Sequence, residues 1–190
     1  MIISVYEIID MAIITLALGY IFSGMFETFR RRGMEEYEPL AHVKRFDWQA
    51  FKFAVIVTAP AIILHEFGHK FVALAFGATA AFHAAYGWLA LGIVLKLLNT
   101  GFIFFVPAYV SHSPVTELQG SMIAFAGPFV NLLLWLLSSA LLRTHLIKRK
   151  YLPIVFLTSR INMLLFIFNM IPIPGFDGYW IFKGLASAIF

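Results

Sequence analysis

Hydrophobic residues along the chain fall in long runs rather than short alternations. Apolar positions dominate about Val5 to Phe26, about Trp48 to Phe76, about Leu118 to Leu142 and about Tyr151 to Met170. Each run is long enough to cross a bilayer core, which takes roughly 20 helical residues. Polar residues gather between the runs. Glu27 to Asp47 holds Arg30, Arg31, Arg32, Glu35, Glu36, Glu38, Lys44 and Arg45, and a second connector holds Arg143, Lys148, Arg149 and Lys150. The stretch 86–110 is also apolar, with Lys96 inside it, a turn signal at Asn99-Thr100-Gly101 and a break at Pro107. The tail Tyr179 to Phe190 is apolar but too short for a full span, so it is either an interfacial helix or the start of another crossing. This pattern predicts an all-α polytopic membrane protein, a multi-pass bundle of about five to six transmembrane helices.

Composition agrees. Of 190 residues, 61% are hydrophobic and only 13% charged, against roughly 25% charged in soluble domains. The mean hydropathy is +0.86. The first run starts close to Met1, but Glu7 and Asp10 interrupt it and no basic segment precedes it, so it reads as a retained span. Those two carboxylates are expected at the headgroup level, with an inward-facing role as the alternative. The absence of Cys excludes thiolate catalysis and cysteine-zinc sites. The net charge of +4 is concentrated in the two connectors, where it sets topology; the expected surroundings are a lipid bilayer, with no nucleic-acid partner.

Near the end of the second run lies His65-Glu66-Phe67-Gly68-His69, an H-E-x-x-H pattern. On a helix, His65 and His69 project from one face and can hold one zinc ion, while Glu66 is placed to act as general base on an attacking water. Ionisable residues inside so apolar a segment are costly unless they face a protein interior and serve a purpose. Pro60 lies five residues upstream and is expected to bend the helix. Gly68 leaves room for a close neighbour.

A catalytic zinc site needs a third protein ligand. The segment Asn169-Met170-Ile171-Pro172-Ile173-Pro174-Gly175-Phe176-Asp177-Gly178 follows the last long run. Asp177 is either that ligand or an ordinary turn residue. If it is the ligand, it must meet the histidines at one membrane side. The chain between them must then make an even number of crossings. The runs at 118–142 and 151–170 supply two, so 86–110 contributes none or two, as a broken or re-entrant helix with an extended return. Both basic connectors then share one face, and the candidate site opens toward the other.

Ala126-Gly127-Pro128-Phe129-Val130-Asn131 sits inside the third long run. Gly127, with Pro128, permits tight helix contact. Asn131 is buried deeply enough to need a partner, either a substrate carbonyl or developing oxyanion, or a neighbouring helix. Pro172 and Pro174 open the chain after Asn169 and free carbonyls for an extended substrate. His42, His83, His112 and His145 read as surface or interfacial residues.

Together these three elements resemble the site-2 protease family of intramembrane zinc metalloproteases (peptidase family M50). The likeness covers about 51–178, the catalytic core of a single domain; 1–50 form the first span and polar connector, and 179–190 the tail. It implies cleavage of a peptide bond in or near the transmembrane helix of a membrane-protein or peptide substrate. It also implies His65, His69 and Asp177 as ligands of one Zn2+, Glu66 as base, and Asn131 at the substrate, where Asn169, Pro172 and Pro174 are further candidates from the residues themselves. Gly68, Gly127, Pro128 and Gly178 would be structural. Family members carry a small membrane-embedded sheet in the region corresponding to 77–111, thought to align substrate. Gly175 and Phe176 depart from a common Pro-Leu pair, and the Gly101-to-Pro107 run is most similar to archaeal members. A pseudoprotease or carrier would use the same ligands, but it would have no need of Glu66.

Overall fold

The computed structural model describes residues 3–31, 46–100, 107–144 and 146–189. In chain order the elements are α1 (Val5–Arg31), α2 (Trp48–Ala75), β1 (Ala80–Ala84), α3 (Tyr86–Leu97), β2 (Ala108–His112), α4 (Glu117–Leu142), α5 (Leu152–Asn169) and α6 (Asp177–Ile189). Among the described residues four helical stretches are long and apolar enough to cross a membrane: Val5–Met25, Trp48–Ala75, Glu117–Leu142 and Arg149–Asn169. The protein is therefore an integral multi-pass membrane protein. The count is lower than the expected five to six because α3 and α6, with 12 and 13 residues, rise only about 18–20 Å, short of a bilayer core of roughly 30 Å. The expectations for His42, His145, the basic cluster at 32–45 and the 101–106 run lie outside the described residues.

Local chemistry sets the helix ends. Asp47 caps α2, its Oδ1 accepting from the Gln49 and Ala50 amides at 2.9 and 3.0 Å. Thr116 and Gln119 form a reciprocal capping box that starts α4. Pro60 and Pro128 each remain inside their helix, removing one backbone bond apiece without ending it. α4 is the central helix, packed against α2, α5 and α6, while α1 lies along α2.

The stretch 80–112 forms an antiparallel hairpin with α3 in its connection. The register runs from Ala80 opposite His112 to Ala84 opposite Ala108. The chain thus leaves Ala84 and returns beside it at Ala108, which makes the connection net non-crossing as the ligand spacing required.

Glu7 and Asp10 face inward, not toward a headgroup layer. Phe82 and Ala84 turn their amides away from β2, and a buried amide without an acceptor is costly. Glu7 Oε1 accepts from Phe82 N at 2.7 Å and Asp10 Oδ2 from Ala84 N at 3.1 Å. α1 thereby covers the outer edge of β1 where a third strand would lie. The Lys70 ammonium pairs with Glu7, and the Tyr86 hydroxyl donates to Asp10.

Candidate metal centre

Because α2 is helical through its motif, His65 and His69 stack one turn apart with Nε2 atoms 3.1 Å from each other. Asp177 comes to them from the first turn of α6. Its approach depends on a tight link: Gly175 adopts φ +103°, a conformation costly for any residue with a Cβ. A Cβ on Gly178 would sit 2.5–2.6 Å from the Ile171 and Met170 carbonyl oxygens. Asp177 Oδ2 lies 3.1 Å from His65 Nε2 and 3.4 Å from His69 Nε2. Donor atoms bound tetrahedrally at about 2.0–2.1 Å from zinc stand about 3.3–3.4 Å apart, so this triangle has the size of one face of a zinc tetrahedron.

Hydrogen bonding behind the rings decides what the triangle contains. His69 Nδ1 lies 2.7 Å from the Ile123 carbonyl oxygen, which can only accept, so Nδ1 carries a proton. His65 Nδ1 lies 2.5 Å from Asn131 Oδ1. The Asn131 amide is oriented by its other end, whose Nδ2 donates to the Ala61 carbonyl at 3.1 Å and to Asn162 Oδ1 at 2.8 Å. The Asn162 amide is oriented in turn by donation to the Thr158 carbonyl at 2.8 Å. Both rings therefore donate from Nδ1, and in the neutral form that a metal ligand takes they present lone pairs at Nε2. Two imidazole lone pairs and a carboxylate oxygen converge, and Asp177 Oδ2 is buried with no hydrogen-bond partner. Three acceptors without a donor call for a cation.

Gly127 keeps this space clear. A Cβ there would collide with His69 Nε2 and would lie 2.7 Å from His65 Nε2. On the facing helix, a Cβ on Gly68 would meet the Ala126 carbonyl oxygen at 2.6 Å. The two glycines let α2 and α4 approach until the histidines reach α4 for support. Pro128, fully buried, extends the same contact. Among the described residues, His65, His69 and Asp177 are the only three-residue group able to chelate a metal ion.

The cluster opens on a cavity of about 1090 Å³, walled by parts of α1, α2, β2, α4, α5 and α6 and including Glu66 and Asn169. Asn131 is not on that wall. It is fully buried behind His65, with its amide committed to helix partners. Pro172 and Pro174 are exposed in the α5–α6 link and do not line the cavity, whereas Gly175, Phe176 and Asp177 do. His112 reaches the wall, while His83 is bonded to Ser111 Oγ at 2.9 Å. Asn162 was missed by sequence reasoning, although an isolated amide inside an apolar run is a signal. The Ile123 carbonyl left no sequence signal, because a backbone acceptor has no residue type.

These features define the class: a multi-pass helical membrane protein with an interior His-His-Asp chelating cluster beside a carboxylate. Known proteins carry the assignment further. The chain is 32% identical over 179 residues to "Putative zinc metalloprotease MJ0611" of Methanocaldococcus jannaschii, covering 93% of this chain and 83% of that protein. It is 28% identical over 152 residues to "Putative zinc metalloprotease YwhC" of Bacillus subtilis, covering 70% and 68%. "Putative zinc metalloprotease Rip2" of Mycolicibacterium smegmatis is 31% identical over 135 residues, the match taking in 62% of this chain and 51% of that relative's length. No family model and no solved structure matches the chain. The chain belongs to this family of zinc metalloproteases.

Proposed function

We propose that the protein is a zinc-dependent intramembrane endopeptidase of the site-2 protease type, hydrolysing a peptide bond in or near the transmembrane helix of a membrane-protein substrate. The observation that carries the reading is the convergence of three acceptors on a donor-free point, with Glu66 on the same cavity wall, inside a bundle of membrane-spanning helices. His65, His69 and Asp177 would hold the ion. Zinc at such a site supplies Lewis acidity and lowers the pKa of water.

Glu66 follows His65 directly and is buried. It is the base that would take a proton from water and return it to the leaving amine. Asn131 acts behind the site: by holding the Nδ1 proton of His65 it keeps the opposite lone pair available. A pseudoprotease or carrier is disfavoured because chelation makes no use of Glu66.

The hairpin supplies a substrate-aligning edge. Bonds from Ala85 N to Pro107 O at 3.1 Å and from Ser113 N to Thr79 O at 2.9 Å bracket the ladder. By strand alternation, Ala108, Val110 and His112 then turn their N–H and C=O groups away from β1. With β1's other edge covered by α1, β2 is the edge left for an added strand, and it borders the cavity. A substrate helix would have to unwind locally to use it.

The test is cleavage of a single-span substrate in liposomes. Glu66→Ala is expected to lose about 10²–10⁴-fold in rate while retaining one zinc per chain. Equal product from both proteins would refute the proposed mechanism.

A further inference from the structure

α5 carries a charge on its outward face. Arg160 lies within the apolar span Arg149–Asn169, about 12 Å along the axis from Leu152 and about 13 Å from Asn169 at 1.5 Å per residue. A neighbouring helix confirms the depth: Asn162, two residues further along α5, bonds Asn131 near the middle of α4. Arg160 is exposed, in an outward stripe with Phe156, Leu164 and Ile167, while Leu157 and Asn162 hold the buried side. Its guanidinium lies 5.2 Å from the centre of the Phe156 ring. Among the described residues no carboxylate pairs with it, and it does not line the cavity.

Ionisable side chains inside a membrane face the bundle interior or a wet cavity, or pair with an opposite charge. Arg160 does none of these within its own chain. We propose that the α5 face formed by Phe156, Arg160, Leu164 and Ile167 docks a transmembrane helix of another protein that carries a carboxylate at mid-membrane depth. A guanidinium matches a carboxylate through two parallel hydrogen bonds, and the flanking Phe, Leu and Ile supply packing surface. A second copy of this chain does not fit: of the carboxylates in its described spans, Glu7, Asp10 and Glu66 are buried and face inward, and Glu117 sits in the first turn of α4, at the end of its span and away from mid-membrane depth. The assignment does not depend on proteolysis.

The experiment reconstitutes the donor-labelled protein in phosphatidylcholine vesicles with acceptor-labelled, leucine-rich single-span helices bearing either Asp or Leu at the centre. Energy transfer should show the Asp helix associating about ten-fold more tightly than the Leu helix, and Arg160→Leu should remove that difference while leaving bound zinc unchanged. Equal association of the two helices overturns the proposal, as does an Asp preference that survives Arg160→Leu. Transfer between labelled copies of the protein itself that Arg160→Leu abolishes would also overturn it, assigning the face to self-association.

Discussion

Among the described residues two ionisable clusters are buried, and they differ in how completely they are satisfied. Around Glu7, Lys70 and Asp10, each carboxylate has donors: the Lys70 ammonium, the Phe82, Ala84 and Ser4 amides and the Tyr86 hydroxyl. Around His65, His69 and Asp177 only acceptors meet. His69 and Lys70 are sequence neighbours, so one turn of α2 serves both clusters on different sides. A buried polar group that is fully paired adds order to a fold, whereas one left short of a partner marks a place where something must bind. The first cluster holds α1 to the sheet, and the second is a candidate site.

The difference can be broken most sharply at Asp177. Asp177→Asn replaces an acceptor by an amide whose Nδ2 can donate to the histidine lone pairs. Cleavage should fall about a thousandfold or more, because a metal supplies several kcal/mol of transition-state stabilisation. The metal-free variant should nonetheless resist unfolding better than metal-free wild type, by about 1–3 kcal/mol, the cost of an unsatisfied buried group. Denaturant unfolding of the two metal-free proteins measures this. A less stable variant would make the His-His-Asp cluster structural.

The paired cluster should answer oppositely. Glu7→Gln leaves the Lys70 ammonium, only 1% exposed, without its counter-charge, and should destabilise by about 3–5 kcal/mol. Adding Lys70→Met removes the stranded charge while the introduced side-chain amide still accepts from Phe82 N, so the double variant should recover most of the loss. If the two substitutions simply add, the pair is not coupled.

Legibility in the sequence follows the same division. His65, Glu66 and His69 could be read because helical spacing alone places them together, and Asp177 because a catalytic metal demands a third ligand. That demand also made 86–110 net non-crossing, which the Ala84–Ala108 register matches. Glu7 and Asp10 were expected at the headgroup level and instead face inward, since their partners are backbone amides some 75 residues away. No residue type announces an exposed strand edge. Asn131 was equivocal for a related reason: an amide in an apolar helix needs a partner, but only packing shows that His65 and Asn162 supply it.

A smaller effect separates the ligands from their support. Asn131→Ala removes the acceptor for His65 Nδ1 without touching the triangle, so zinc affinity should drop about 10–100-fold. Competition with a fluorescent chelator gives the value. Asn162→Ala should cost less, because Asn131 Nδ2 keeps the Ala61 carbonyl at 3.1 Å. Equal losses would mean that orientation of the Asn131 amide, rather than its bond to His65, governs the metal.

The smallest change tests whether charge itself matters where α1 meets the sheet. Asp10 accepts from Ala84 N and from the Tyr86 hydroxyl, and among the described residues no cation pairs with it. Asp10→Asn can keep both contacts, its Oδ1 accepting from Ala84 N and its Nδ2 donating to the Tyr86 oxygen, since a phenol also accepts. Only the added strength of hydrogen bonds to an ionised acceptor is lost, about 1 kcal/mol. Asp10→Leu leaves the Ala84 amide and the phenol unpaired and should cost about 2–3 kcal/mol more. Comparable unfolding midpoints for the two variants would show that neither contact persists in the membrane, and β1 would then have a second edge open to strand addition.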